Sequence, residues 1–104
     1  MKTIACWLFF DIFASDKRME IIRTLWDKPM SVSEICKKTG IEQSHASHEL
    51  KTMTRCKVVE SKREGRNKIY WLSAGIKPIL RTADKHVKKN CKRKCTDFKK
   101  RHKK

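Results

Sequence analysis

Proline and glycine are scarce in this chain, two and three among 104 residues, which excludes a collagen-like or linker-like polymer. Acid is scarce too: 11 Asp and Glu stand against 27 Lys and Arg, a formal charge of +16. No apolar run approaches the roughly 20 residues that cross a bilayer, so no membrane partner is expected. Also missing are a carboxylate pair, a glycine-rich phosphate loop and a nucleophile–base set, so no enzyme is expected. What is present is 38% hydrophobic residues, enough for one modest core in a chain of single-domain length. A small, folded, strongly basic module is expected to meet a polyanion, with nucleic acid the first candidate.

The charge is uneven. Residues 1–76 carry 14 basic and 9 acidic side chains, whereas residues 77–104 carry 13 and 2. A globular body is thus followed by a far more basic end, either a solvated terminus or an electrostatic arm. The five cysteines, Cys6, Cys36, Cys56, Cys91 and Cys95, are odd in number and scattered. The opening run Ile4–Phe10 imitates a signal sequence, but Asp11 cuts it at seven residues and no small-x-small cleavage site follows. Reduced thiols and a cytoplasmic, nucleoid-associated location are therefore expected.

Residues 4–14 are apolar nearly all round, which suits a helix buried on several sides, and in so small a domain that points to a subunit interface. Ser15 or Asp16 can cap a second helix carrying Met19, Ile21, Ile22, Leu25 and Trp26, which Lys28-Pro29 ends. Ser31 or Ser33 opens a short helix with Val32, Ile35 and Cys36 inward, and Thr39-Gly40 stops it. A helix over about 43–55 follows, with Ala46, Leu50 and Met53 inward. Strands at 58–63 and 68–72 flank the turn Glu64-Gly65-Arg66-Asn67. Pro78 fits the first turn of a last helix whose stripe runs through Ile79/Leu80, Ala83, Val87, Cys91, Cys95 and Phe98. The expected fold is mainly α with a small β-hairpin, in the order α-α-α-α-β-β-α, the winged helix-turn-helix plan. Residues 1–90 would form the DNA-binding domain with its dimerisation helices, and 91–104 a basic tail.

The second helix of the helix-turn-helix is the sharpest signal. With its apolar residues inward, Gln43, Ser44, His45, Ser47, His48 and Lys51 remain to meet base edges and phosphates. Spacing alone would equally suit an ordinary amphipathic helix with a polar face. The hairpin decides in favour of nucleic acid, because Lys62, Arg63, Arg66, Asn67 and Lys68 cluster at its tip.

These elements carry a resemblance. Ile35-x4-Gly40-Ile41-x-Gln43-Ser44-x2-Ser47-His48-x-Leu50, then Val58-Val59 and Gly65-Arg66-Asn67-Lys68-x-Tyr70-x-Leu72, is similar to the ArsR/SmtB transcriptional repressors over about residues 16–72. The resemblance implies a homodimer joined through its first and last helices, bound to double-stranded DNA at an inverted repeat and released by an inducer. It also implies metal ligands at positions that this chain fills otherwise. The Cys-x-Cys pair ahead of the turn glycine falls on Ser31 and Ser33, and the strand-and-last-helix set falls on Ala74, Ile76, Val87 and Asn90. Asp84-x-His86 spells part of that motif about ten residues late and is expected on a helix surface. No cofactor is required on this reading.

Cys91-x3-Cys95 remains. At i, i+4 both sulfurs would share one helix face among Lys88, Lys89, Lys92, Arg93 and Lys94, a setting that favours thiolate. Three readings stay open: inert packing, thiol oxidation, or zinc held by four thiolates across a dyad. The rival to a sequence-specific regulator is a sequence-tolerant nucleic-acid or chromatin-packing protein dominated by its basic end.

Overall fold

The structure, a computed structural model, describes residues 7–91. The elements are α1 (Trp7–Ile12), α2 (Asp16–Leu25), β1 (Met30–Ser31), α3 (Val32–Thr39), α4 (Gln43–Arg55), β2 (Val59–Glu64), β3 (Asn67–Leu72) and α5 (Ile76–Asn90). The chain divides between Ala74 and Gly75 into two compact units, so that α5 stands as a unit by itself. Residues 4–6 of the first apolar run, Cys95 and the tail from 92 onward lie outside the described residues.

Each boundary in the first unit has a local cause. Ser15 caps α2, its hydroxyl accepting from the Arg18 N–H. Ser31 caps α3 in a capping box: Ser31 Oγ accepts from the Glu34 N–H, and the Glu34 carboxylate accepts from the Ser31 N–H at 3.0 Å. That backbone hydrogen bond holds the Glu34 carboxyl below its ordinary pKa. Gly40 ends α3 with φ 78°, its N–H donating to the Cys36 carbonyl. The Thr39 hydroxyl donates to the Ile35 carbonyl and accepts from the Ile41 N–H, which locks the turn between α3 and α4. Gly65, with φ 60°, takes the first place of the two-residue hairpin loop, the position where a type II′ turn requires glycine.

The core is the convergence of Ile21, Ile22 and Leu25 from α2, Ile35 from α3, Ala46, Leu50 and Met53 from α4, and Val58, Val59, Tyr70 and Leu72 around the hairpin. Met19, Val32 and Cys36, expected inward, are only half-buried, and α2 stops at Leu25, ahead of the proline expected to end it.

Two expectations need correction. The sheet has three strands in the order β1-β3-β2, not two. Pro29 forces the chain to extend, and burying Met30 lays it along the open edge of β3, pairing Met30 with Tyr70 and Ser31 with Ile69. The hairpin then closes in the register Val59–Leu72 to Glu64–Asn67. The last helix also ends sooner than its apolar stripe suggests. Cys91 is its C-cap in an extended conformation (ψ 113°) and so leaves the helix, while the expected continuation of the stripe to Cys95 and Phe98 lies outside the described residues. The Asn90 side chain donates to the His86 carbonyl in the last turn.

The end of α4 carries local strain. Lys57 lies in the left-handed region at φ 56°, while its N–H reaches the Thr54 carbonyl and the Val58 N–H reaches that of Met53. This is a Schellman cap with lysine where glycine is usual, and the fully buried Val58 and Met53 supply its apolar contact. Replacing Lys57→Gly removes the steric cost and is expected to stabilise the fold by about 0.5–1 kcal/mol, net of glycine's own entropy. Urea unfolding measures it as a raised midpoint at unchanged slope.

Candidate nucleic-acid interface

Helix α4 is held from one side. Ala46, Leu50 and Met53 have no exposed surface, which fixes the rotation of the helix about its axis. Gln43, Ser44, His45, Ser47, His48 and Lys51 are all exposed, so the structure brings every expected residue of this helix to the surface. Down the axis, Ser47 and Lys51 sit between Gln43 on one flank and Ser44 and His48 on the other, within one continuous arc. His45 stands at its margin, turned toward Glu49, with its Nε2 3.2 Å from the carboxylate. The Ser44 hydroxyl donates to the Glu42 carboxylate at the start of the helix. Glu42 itself stands at the N-cap without a side-chain cap bond, placing negative charge at the positive end of the helix dipole.

The wing presents its cations around the loop. Lys62 and Arg63 on β2, Arg66 in the turn, and Asn67 and Lys68 on β3 are all exposed. Arg63 lies directly opposite Lys68 in the antiparallel register, a like-charge pair of the kind that costs a sheet roughly 0.2–1 kcal/mol. An anion between them would remove that cost. Part of the Lys68 charge is met by the face of Tyr70, its Nζ 5.8 Å from the ring centre. Tyr70 is buried, and desolvation raises its phenol pKa.

Arg18 and Glu49 did not figure in the sequence reading, yet they connect the helices behind this face. Arg18 Nε stands 2.9 Å from Glu49 Oε1, and both side chains are largely buried, 19% and 13% exposed. The Nε–H is not aimed well enough to count as a hydrogen bond, so the pair is held chiefly by charge. Arg18 Nη1 also donates to the Asp11 carbonyl of α1 at 3.5 Å. One guanidinium therefore touches α1 and α4 from α2, and the carboxylate that it holds also faces His45. The only available signal was a charged pair on two amphipathic helices, which does not identify partners far apart in sequence.

The positions where the family resemblance implies metal ligands are otherwise engaged or unsuitable. Ser31 is the α3 cap, Ser33 is exposed and Ile76 is buried. Asp84, on the surface of α5, pairs with Lys88 at 3.1 Å. Among the described residues, no three His, Cys, Asp or Glu side chains are gathered as a metal would need. No helix among them is long and apolar enough to cross a membrane.

A tri-helical core, a turn made by Gly40, an outward-facing second helix and a basic β-wing define a winged helix-turn-helix protein. Comparisons agree. The profile described as "Bacterial regulatory protein, arsR family" matches residues 15–61. The crystal structure of Rv0081 from Mycobacterium tuberculosis is 30% identical, with TM-score 0.73, over 78% of this chain and 83% of that one. The transcriptional regulator HlyU from Vibrio vulnificus is 25% identical, with TM-score 0.66, over 75% and 82%. The homodimeric winged helix-turn-helix domain of Mb0332 from Mycobacterium bovis shares the fold at 22% identity and TM-score 0.69, over 84% and 85%. A sequence search of curated proteins finds no match. The chain belongs to the arsR family of bacterial regulatory proteins, and is a DNA-binding transcriptional regulator, a class without catalytic activity.

The Arg18–Glu49 pair should matter to stability. A double-mutant cycle with Arg18→Met and Glu49→Gln is expected to return a coupling of about 1–2 kcal/mol, between exposed and fully buried pairs. The measurement is urea unfolding of the four proteins; additive losses would show the contact to be incidental.

Proposed function

We propose that the protein is a homodimeric repressor that reads an inverted-repeat operator with α4 and grips phosphates with its wing. The observation that carries this reading is the division of α4: three side chains without exposed surface on one face, and only polar or basic groups on the arc opposite. In that reading Gln43, Ser44, Ser47 and His48 meet base edges, while His45 and Lys51 flank them. Lys62, Arg63, Arg66, Asn67 and Lys68 supply charge and donors to the backbone. The unfavourable Arg63–Lys68 pairing supports a phosphate beside it.

Dimerisation through α1 and α5 is the proposed assembly, with residues 1–90 acting as one DNA-binding and dimerising domain. Trp7, Leu8 and Phe10 on α1 are 74%, 49% and 55% exposed, an apolar surface that a lone protomer would leave in water. Ile79 and Val87 on α5 are also exposed. The neighbouring Mb0332 domain is described as homodimeric, which supports the same arrangement here. A C2 dimer would set its two recognition helices on half-sites about one helical turn apart, or a multiple of it. Its place of action would be the cytoplasm, on the chromosome.

Selection of bound fragments from random DNA tests the whole reading. An operator-to-random affinity ratio of about 10³ or more at physiological salt is expected of a regulator, and a ratio near one would leave a sequence-tolerant packing protein. On the selected operator, Gln43→Ala should cost roughly 1–3 kcal/mol while sparing random DNA. Arg66→Ala should weaken both alike and remove about one phosphate contact from the salt dependence.

The proposed signal is oxidation or zinc binding at Cys91 and Cys95. Its support is the cationic neighbourhood of Cys91, which follows Lys88 and Lys89 at the end of α5. Mild oxidant or excess Zn²⁺ should alter operator affinity of the native protein but not of Cys91→Ser/Cys95→Ser. A double mutant that responds as fully as the native protein removes the pair as sensor.

A further inference from the structure

Two acids belong to the α4 segment, and they are used differently. Glu49 is largely buried, held between Arg18 and His45. Glu42 is exposed at the start of the helix, where its carbonyl accepts the first intrahelical bond, from the Ala46 N–H at 2.8 Å. An acid in that place ordinarily directs its carboxylate to the backbone N–H groups of the first turn. Glu42 makes no such bond. Its carboxylate accepts from the Ser44 hydroxyl instead, and Ser44 lies within the exposed arc opposite the core. That bond draws a negative charge toward the surface proposed to meet DNA.

The same bond decides what this end of the helix offers a base. A serine hydroxyl has one proton, and here Glu42 takes it, so Ser44 faces outward with lone pairs only. The carboxylate keeps acceptor capacity beyond that single bond. The start of α4 thus presents acceptors side by side, with a charge that phosphates repel. In the major groove only two groups donate, the exocyclic amines N4 of cytosine and N6 of adenine. Adenine sets its N7 acceptor beside that amine, guanine offers two acceptors, and thymine offers an acceptor and a methyl group. Cytosine alone meets the carboxylate with a donor and no competing acceptor.

We propose that Glu42, held by Ser44, is a specificity-determining residue that reads the N4 amine of a cytosine in each half-site. This rests on α4 being the reading helix and adds a base to that reading. Glu42 gains a charge-assisted hydrogen bond from cytosine, and it opposes phosphates and the acceptor edges of the wrong bases, so it raises specificity while lowering general affinity.

The test is selection of bound duplexes from random DNA by the full native chain and by Glu42→Gln. Glutamine has the same length but offers a donor and an acceptor, the pair that suits adenine N6 and N7. One position of each half-site should therefore change from cytosine to adenine, with the other positions kept. There the native protein should favour cytosine over adenine by roughly tenfold, and Glu42→Gln should lose that preference. In fluorescence anisotropy at low salt, Glu42→Gln should also bind random duplex roughly threefold more tightly, a gain that shrinks as salt rises. A purely structural role would move affinity the other way, since a weakened helix binds all DNA less well. Glu42→Ser separates reading from folding. Serine is a favoured N-cap, so this variant should unfold at the same or a higher urea concentration and still lose the cytosine preference. If Glu42→Gln selects the native motif unchanged, cytosine included, the proposal is overturned and α4 remains the reading helix. A native motif with no cytosine at a position that responds to Glu42→Gln also overturns it. A native protein that selects no motif overturns reading by α4 itself, and this proposal with it.

Discussion

The burial of three side chains on one helix, Ala46, Leu50 and Met53, sets the terms for the rest of the first unit. A helix of 13 residues has only one rotation that places all three against the core, and that rotation determines which residues face away. Leucine and methionine removed from water contribute roughly 1.5–3 kcal/mol each, far more than any polar contact on the outer face could offset. The outer face is therefore free to be chosen for recognition. Its serines, histidines and glutamine are exposed and take no part in the apolar packing that fixes the rotation of the helix.

Rotation alone leaves the direction of α4 open, and short-range hydrogen bonds set it. Gly40 turns the chain in the left-handed region, and the Thr39 hydroxyl bridges the end of α3 to Ile41. At the other end, the Schellman cap at Lys57 passes the chain directly into the hairpin. Strand β1 holds the far edge of β3, making β3 the central strand and giving the wing a rigid base. The wing tip can then carry an unfavourable Arg63–Lys68 pairing, because the register is imposed below it by Val59–Leu72 and Ser61–Tyr70. Arg18 adds a charged tie from α1 and α2 to Glu49, behind the exposed face.

Where a property repeats along the chain, it could be read in advance. The bounds of α4 and its inward residues follow from spacing at 3.6 residues per turn, the hairpin loop from a single Gly65, and the start of α3 from a serine at 31 or 33, of which the structure uses Ser31. Strand β1 has two residues and so has no period to detect. The end of α5 is hidden for a related reason: its apolar spacing continues through Cys91, yet Cys91 leaves the helix as an extended cap, which spacing does not detect.

By itself, then, the order of residues determined the local elements, the inward and outward sides of α4, the basic wing and the family resemblance, because each depends on neighbours within a few positions. Only the folded chain decided that Met30 completes the sheet, that Arg18 meets Glu49, and that Arg63 and Lys68 stand opposite one another. These are meetings between segments distant in sequence. They depend on how helices and strands pack, and packing is settled by the collective exclusion of water from one core, which no local pattern encodes.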